Sequence, residues 1–209
     1  MLVVAVVLIV SLLGGGGGRA LIGGGSEPTT PSFSFKVTKV TAVPTRPSAT
    51  ADQLKDKAKP PANEVVHVMD ALYVQAFLNP DNWQHGSYDD VWSMFDAGAA
   101  AEAQQQVDTL TAGSGAGDAF DEILPKSGTL KAKVLLDPKD VPYSVVAIVK
   151  FTAIGSGKDG KDLAMTSQGQ FVFQKIDGTW KVVSFRVLRN DVPKAPSPSA
   201  TASASGSPS

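Results

Sequence analysis

Both ends of the chain are too biased in composition to build a packed core, and this confines folding to the middle. Residues 195–209 contain only Ala, Pro, Ser, Thr and one Gly, and Ser26 to Pro47 is rich in Ser, Thr and Pro. Such stretches bury too little apolar surface to offset the entropy of ordering them. Apolar, charged and aromatic residues mix as in a core only from Ala62 to Asp191, a span of roughly 130 residues that suffices for one domain. The chain therefore divides into a hydrophobic signal or anchor with a Gly-rich exit (1–25), a Ser/Thr/Pro-rich linker with a candidate strand at 33–40 (26–61), the folded domain (62–191), and an Ala/Ser/Pro tail expected to be disordered (192–209).

Met1 to Leu13 reads MLVVAVVLIVSLL, with no charge before Arg19. As a helix this run reaches about 20 Å, short of the roughly 30 Å hydrocarbon core, and adding Gly14 to Gly18 brings it near a span. A cleaved signal has a basic start and an Ala-x-Ala-like cleavage site, and both are missing, so an uncleaved anchor is expected. The lack of Lys or Arg ahead of the run also suggests a true start upstream of Met1; a native mass greater than that of this chain would show it. Ser/Thr/Pro-rich flanks recur in stalks outside membranes. The expected location is the cell membrane, single-pass, with the domain outside the cytoplasm.

The net charge is −1 and the isoelectric point about 6.1. These leave no basic field on the surface for nucleic acid, and lysines are spread among acidic residues rather than gathered into a stripe, so nucleic acid is not an expected partner. The absence of cysteine excludes disulfides, cysteine nucleophiles, thiolate metal sites and a lipidated cysteine.

Within the domain, Val65, Val68, Met69, Leu72, Tyr73, Ala76 and Phe77 recur at three- and four-residue steps, which predicts an amphipathic helix after Pro60-Pro61, stopped at Asn79–Asn82. Ser87 with Asp90 is an approximate capping box for a second helix, and a third is predicted over Ala97–Leu110. Four strand-like segments follow: Leu130–Leu136, Val141–Ile154, Leu163–Lys175 and Trp180–Arg189. Asp177-Gly178 is a strong hairpin signal. The expected fold is α+β, with three N-terminal helices packed on a curved sheet of four or more antiparallel strands. Phe33, Phe35 and Val37 alternate with Ser34 and Lys36 as a further candidate strand. Along Val141–Ile154, Tyr143, Val145, Ala147, Val149 and Phe151 face one way and Val146, Ile148 and Ile154 the other. Helices cover only one face of such a sheet, so the second needs the Phe33 segment, a second copy or another protein.

The helix, turn, helix, helix and meander order, ending in Phe173 to Val183 with Asp177-Gly178-Thr179-Trp180-Lys181-Val182, resembles the nuclear transport factor two-like superfamily over Ala62 to Asn190. With its apolar start and Ser/Pro tail, the whole chain is similar to tethered members of that cone-shaped fold in actinobacterial envelopes. The resemblance implies a cone whose interior, in enzymatic members such as ketosteroid isomerases and polyketide cyclases, holds a carboxylate and hydrogen-bond donors. Asp70 and Tyr143 are the residues here that could approach each other there, although an Asp70 at the edge of its helical stripe and a Tyr143 in the core form the plainer arrangement. No family catalytic position transfers.

His67 and His85 have no metal-site spacing, and Ser93 lies in no nucleophile elbow. The Gly155–Asp162 stretch joins two strands and lacks the following helix of a phosphate loop, so it reads as a flexible hairpin loop. Trp83, Tyr88, Trp92 and Phe95 cluster at a helix corner. The leading expectation is a non-catalytic envelope module that binds itself or another envelope protein through a sheet face, with no cofactor and no metal. The alternatives are a small apolar ligand in a cavity lined by Tyr73, Phe77, Trp92 and Tyr143, or an isomerase-like enzyme with a buried Asp70.

Overall fold

The structure is a computed structural model, described for residues 29–46 and 49–194. The anchor expected at 1–25 and the tail from residue 195 lie outside the described residues. Among the described residues no helix is long and apolar enough to cross a membrane.

The fold is α+β. A strand β1 (Lys36–Pro44) precedes the long helix α1 (Ala51–Tyr73), a π turn (Val74–Leu78), and five short helices: α2 (Pro80–Trp83), α3 (Asp89–Trp92), α4 (Ala97–Gln105), α5 (Val107–Leu110) and α6 (Ala116–Ala119). Four long strands close the chain: β2 (Phe120–Leu136), β3 (Pro142–Gly157), β4 (Asp162–Ile176) and β5 (Thr179–Pro193). The sheet order is β1-β2-β3-β4-β5.

Two expectations about this layout are corrected. The sheet is mixed, because β1 runs parallel to β2 while the other pairs are antiparallel. Parallel neighbours need a crossover, and the helical stretch between β1 and β2 supplies it by returning the chain to the end of the sheet where β1 began. The helices are also not strictly N-terminal, since β1 comes first. The extended segment contributes more than the alternation at Phe33–Val37 suggested: pairing starts at Lys36, and Phe33 and Phe35 turn inward ahead of it. Phe35 is buried. The two rings meet edge to face at 5.0 Å, and Phe33 meets Phe151 at 5.1 Å. A Cβ on Gly128 would lie 2.4 Å from Phe33 Cζ, so glycine in β2 is what lets these rings dock.

Helix α1 begins before the prolines expected to start it. Thr50 and Gln53 form a reciprocal capping box (Gln53 N–H to Thr50 Oγ1 3.4 Å, Thr50 N–H to Gln53 Oε1 3.0 Å), and Pro60 and Pro61 lie inside the helix. Proline removes an N–H without forbidding helical φ, and the buried Leu54, Ala58 and Pro61 continue the apolar face upstream of Ala62. At the second helix the expected Ser87 cap is absent: α3 is capped by Tyr88 without a side-chain bond. In the third helical stretch, Asp96 caps α4 by accepting from Ala99 N–H at 2.8 Å, and Gln106 separates it from α5.

The hairpins follow local turn chemistry. Asp177 (φ 51°) and Gly178 (φ 79°) both adopt the left-handed region that a two-residue hairpin requires. The loop expected to be flexible over Gly155–Asp162 is shorter, because β3 continues to Gly157. Its remnant is tied to α6, with Lys158 N–H donating to the Ala119 carbonyl (3.0 Å) and Lys158 Nζ to the Gly117 carbonyl (2.6 Å).

Candidate functional site

The residues expected to line a cavity do not converge on one. Tyr73 and Phe77 are fully buried and stacked at 5.3 Å. Tyr73 is ringed by Phe35 (5.0 Å), Phe151 (5.2 Å) and Phe171 (6.3 Å). Aromatic side chains occupy the volume a ligand would take beside it. Trp92 is half-buried and belongs to a separate row, Tyr88–Trp92–Phe95–Phe185, with centroids 5.6–6.2 Å apart. Trp83, expected in that cluster, is buried.

Tyr143 faces away from the core and is 49% exposed. Strict alternation would put it with Val145, Ala147 and Phe151. However, Leu135 pairs with Ser144 and Leu136 with Pro142, so Tyr143 is the extra residue of a bulge. A bulge breaks the two-residue period and turns one side chain over.

Asp70 is half-buried, and its Oδ1 accepts the Phe35 N–H at 2.8 Å. Burial raises its pKa above the ordinary carboxylate value; the Phe35 amide and, more weakly, His67 oppose the rise. In this geometry the carboxylate fastens the chain entering β1 to α1. Asp70→Asn, which keeps an acceptor, should change stability by less than about 0.5 kcal/mol, whereas Asp70→Ala should cost about 1–2 kcal/mol by leaving the amide unpartnered. Urea unfolding checks this, and equal losses in both variants would contradict the anchoring role.

The Tyr73 hydroxyl and Ser167 Oγ share a buried hydrogen bond of 3.0 Å. Burial pushes the Tyr73 phenol well above its ordinary 10.0, with the Ser167 bond opposing, and burial pushes Tyr88 up as well. The unfolded phenols ionise near 10 while the folded ones keep their protons, so stability is whole below that pH and falls as pH rises above it. Tyr73→Phe should make the alkaline decline shallower, leaving the share of Tyr88, and should cost about 1–3 kcal/mol at neutral pH by stranding Ser167. An unchanged alkaline slope would contradict this.

His85 Nδ1 lies 2.8 Å from the Asp81 carbonyl in an exposed turn, and His67 is exposed. Among the described residues no three His, Asp or Glu side chains group as a metal site would need.

The outer face of the sheet carries an open trough. Cross-strand register sets out three rows there: Thr41–Lys133–Val146–Val172–Ser184, Lys39–Lys131–Ile148–Gln170–Arg186, and Lys36–Thr129–Lys150–Gln168–Leu188. The trough, of about 630 Å³, lies over the second and third of these rows between β2 and β5, with Lys131, Lys150 and Arg186 around Ile148, Gln168 and Gln170. Leu188 is 61% exposed. The charged residues of these rows are all cations, and among the described residues none of them forms an ion pair. Lysines dispersed along the sequence thus gather on one face, contrary to the expectation of no basic surface. The signal was the alternation itself, because every second residue of each strand shares a face and the lysines take the outward positions of β2.

The chain matches no family model, no curated protein and no solved structure.

Proposed function

We propose that this chain is a non-catalytic, membrane-tethered envelope module whose domain lies outside the cytoplasm and binds another protein through the outer face of its sheet. The observation that carries the reading is the second face, which no described residues cover. Val146, Ile148 and Val172 are only half-buried and Leu188 is exposed, and α1 and the short helices pack on the opposite side. The Phe33 segment, one of the three possible covers, leads into the β1 edge strand and the core instead. Exposed apolar side chains rimmed by polar groups mark interaction surfaces. Tight ring packing around Tyr73, an outward Tyr143 and an Asp70 engaged by the backbone favour this reading over a ligand cavity or an isomerase. The likeness to the nuclear transport factor two-like cone belongs to the proposal too, supported by the β2–β5 meander against α1. A photo-crosslinking residue in place of Gln170, in cells making the full chain, is expected to yield protein adducts, and the same residue in place of exposed Glu102 on α4 is not. Adducts from the α4 position alone would overturn the reading.

A further inference from the structure

The partner's chemistry follows from the charge on this face. We infer that the trough receives an acidic, extended polypeptide segment of another protein; this rests on the interaction reading above. Lys36, Lys39, Lys131, Lys133, Lys150 and Arg186 lie in three adjacent rows that hold no Asp or Glu, and the acidic residues Glu122 and Asp162 of this face sit opposite Ser156, toward the far end of β3, although the chain as a whole carries a net charge of −1. A second copy docking by two-fold symmetry would set these cations against themselves. A bilayer is also a poor fit, because Leu188 is the one exposed large apolar side chain in these three rows and membrane insertion needs a wider apolar surface. An extended chain does fit the trough. From Lys131 on β2 to Arg186 on β5 is three strand spacings, about 14 Å, or roughly four extended residues. Cations at both ends meet carboxylates, Ile148 and Leu188 meet apolar side chains between them, and the amides of Gln168 and Gln170 can bond the backbone of a bound strand. Paired charges of this kind set partner choice and association rate.

The test uses the full chain with Lys131→Glu, Lys150→Glu and Arg186→Glu combined, and Arg186→Gln alone as a milder variant, both checked for native circular dichroism. The probe is a labelled peptide of about eight residues alternating Glu and Val, beside its Lys/Val counterpart and phosphatidylglycerol vesicles. The acidic peptide should bind the unaltered chain, more weakly as salt rises, and at least about tenfold more weakly after charge reversal. The Lys/Val peptide should not bind. In cells, the adduct from the Gln170 position should vanish with charge reversal. A Gln170 adduct that persists through charge reversal overturns the acidic partner while leaving the interaction reading intact; no adduct in any variant removes both. Binding of vesicles but not of acidic peptide, or a sheet-face dimer by light scattering that the reversal abolishes, also overturns it.

Discussion

Phe151→Ala is expected to destabilise the domain by about 3–5 kcal/mol, a large part of the total stability of a domain this size. Phe151 is fully buried on β3, with centroids 5.1 Å from Phe33, 5.2 Å from Tyr73 and 5.2 Å from Phe77. It therefore joins three separate parts of the chain: the segment ahead of β1, the end of α1 and the π turn. Truncation loses the transfer energy of the ring and leaves a void that strand and helix backbones cannot collapse to fill. Equilibrium urea unfolding of the full chain measures it. A loss below about 1 kcal/mol would mean that the rings repack freely and that the helix-facing side is looser than described.

The second large effect is expected at Gly169. A Cβ there would lie 2.5 Å from the Arg186 carbonyl oxygen and 2.9 Å from Val187 Cα, so Gly169→Ala must push β5 away from β4 and should cost about 1–3 kcal/mol. Because Arg186 and Leu188 flank that contact in sequence and line the trough, the same change should also weaken partner binding. Gly98→Ala serves as the opposite case. Gly98 lies in α4 with only Asp96 Oδ2 near, at 3.9 Å, and alanine should stabilise that helix by up to about 1 kcal/mol. Similar midpoints for the two variants would contradict the close approach of β5.

Much of the sheet could be read in advance because its signals are local. Leu130, Ala132, Val134 and Leu136 alternate and are buried, and Asp177-Gly178 makes the turn its sequence demands. What could not be read depends on distant partners. Whether β1 runs with or against β2 is decided by where the helical crossover returns the chain, which no feature of Phe33–Val37 encodes. Tyr143 was misassigned because one bulge residue shifts the alternation, and Pro60-Pro61 read as a helix start because local propensity points that way while the apolar face continues upstream. The pattern leaves Asp70 either at the edge of its helical stripe, the plainer place, or in a cavity, and its partner, a backbone amide 35 positions away in sequence, is not legible there. The cationic face had a visible component, the outward lysines of β2, but its assembly from four strands required the register.

The central claim, that the outer sheet face is occupied in the cell, can be measured directly because the chain contains no cysteine. Gln170→Cys and Glu102→Cys give single thiols on the trough and on α4, to be labelled with a membrane-impermeant maleimide on intact cells and on the purified full chain. The account predicts that Glu102→Cys labels equally fast in both settings and that Gln170→Cys labels fast when purified but several-fold slower on cells. Equal labelling of Gln170→Cys in cells and in isolation would contradict it.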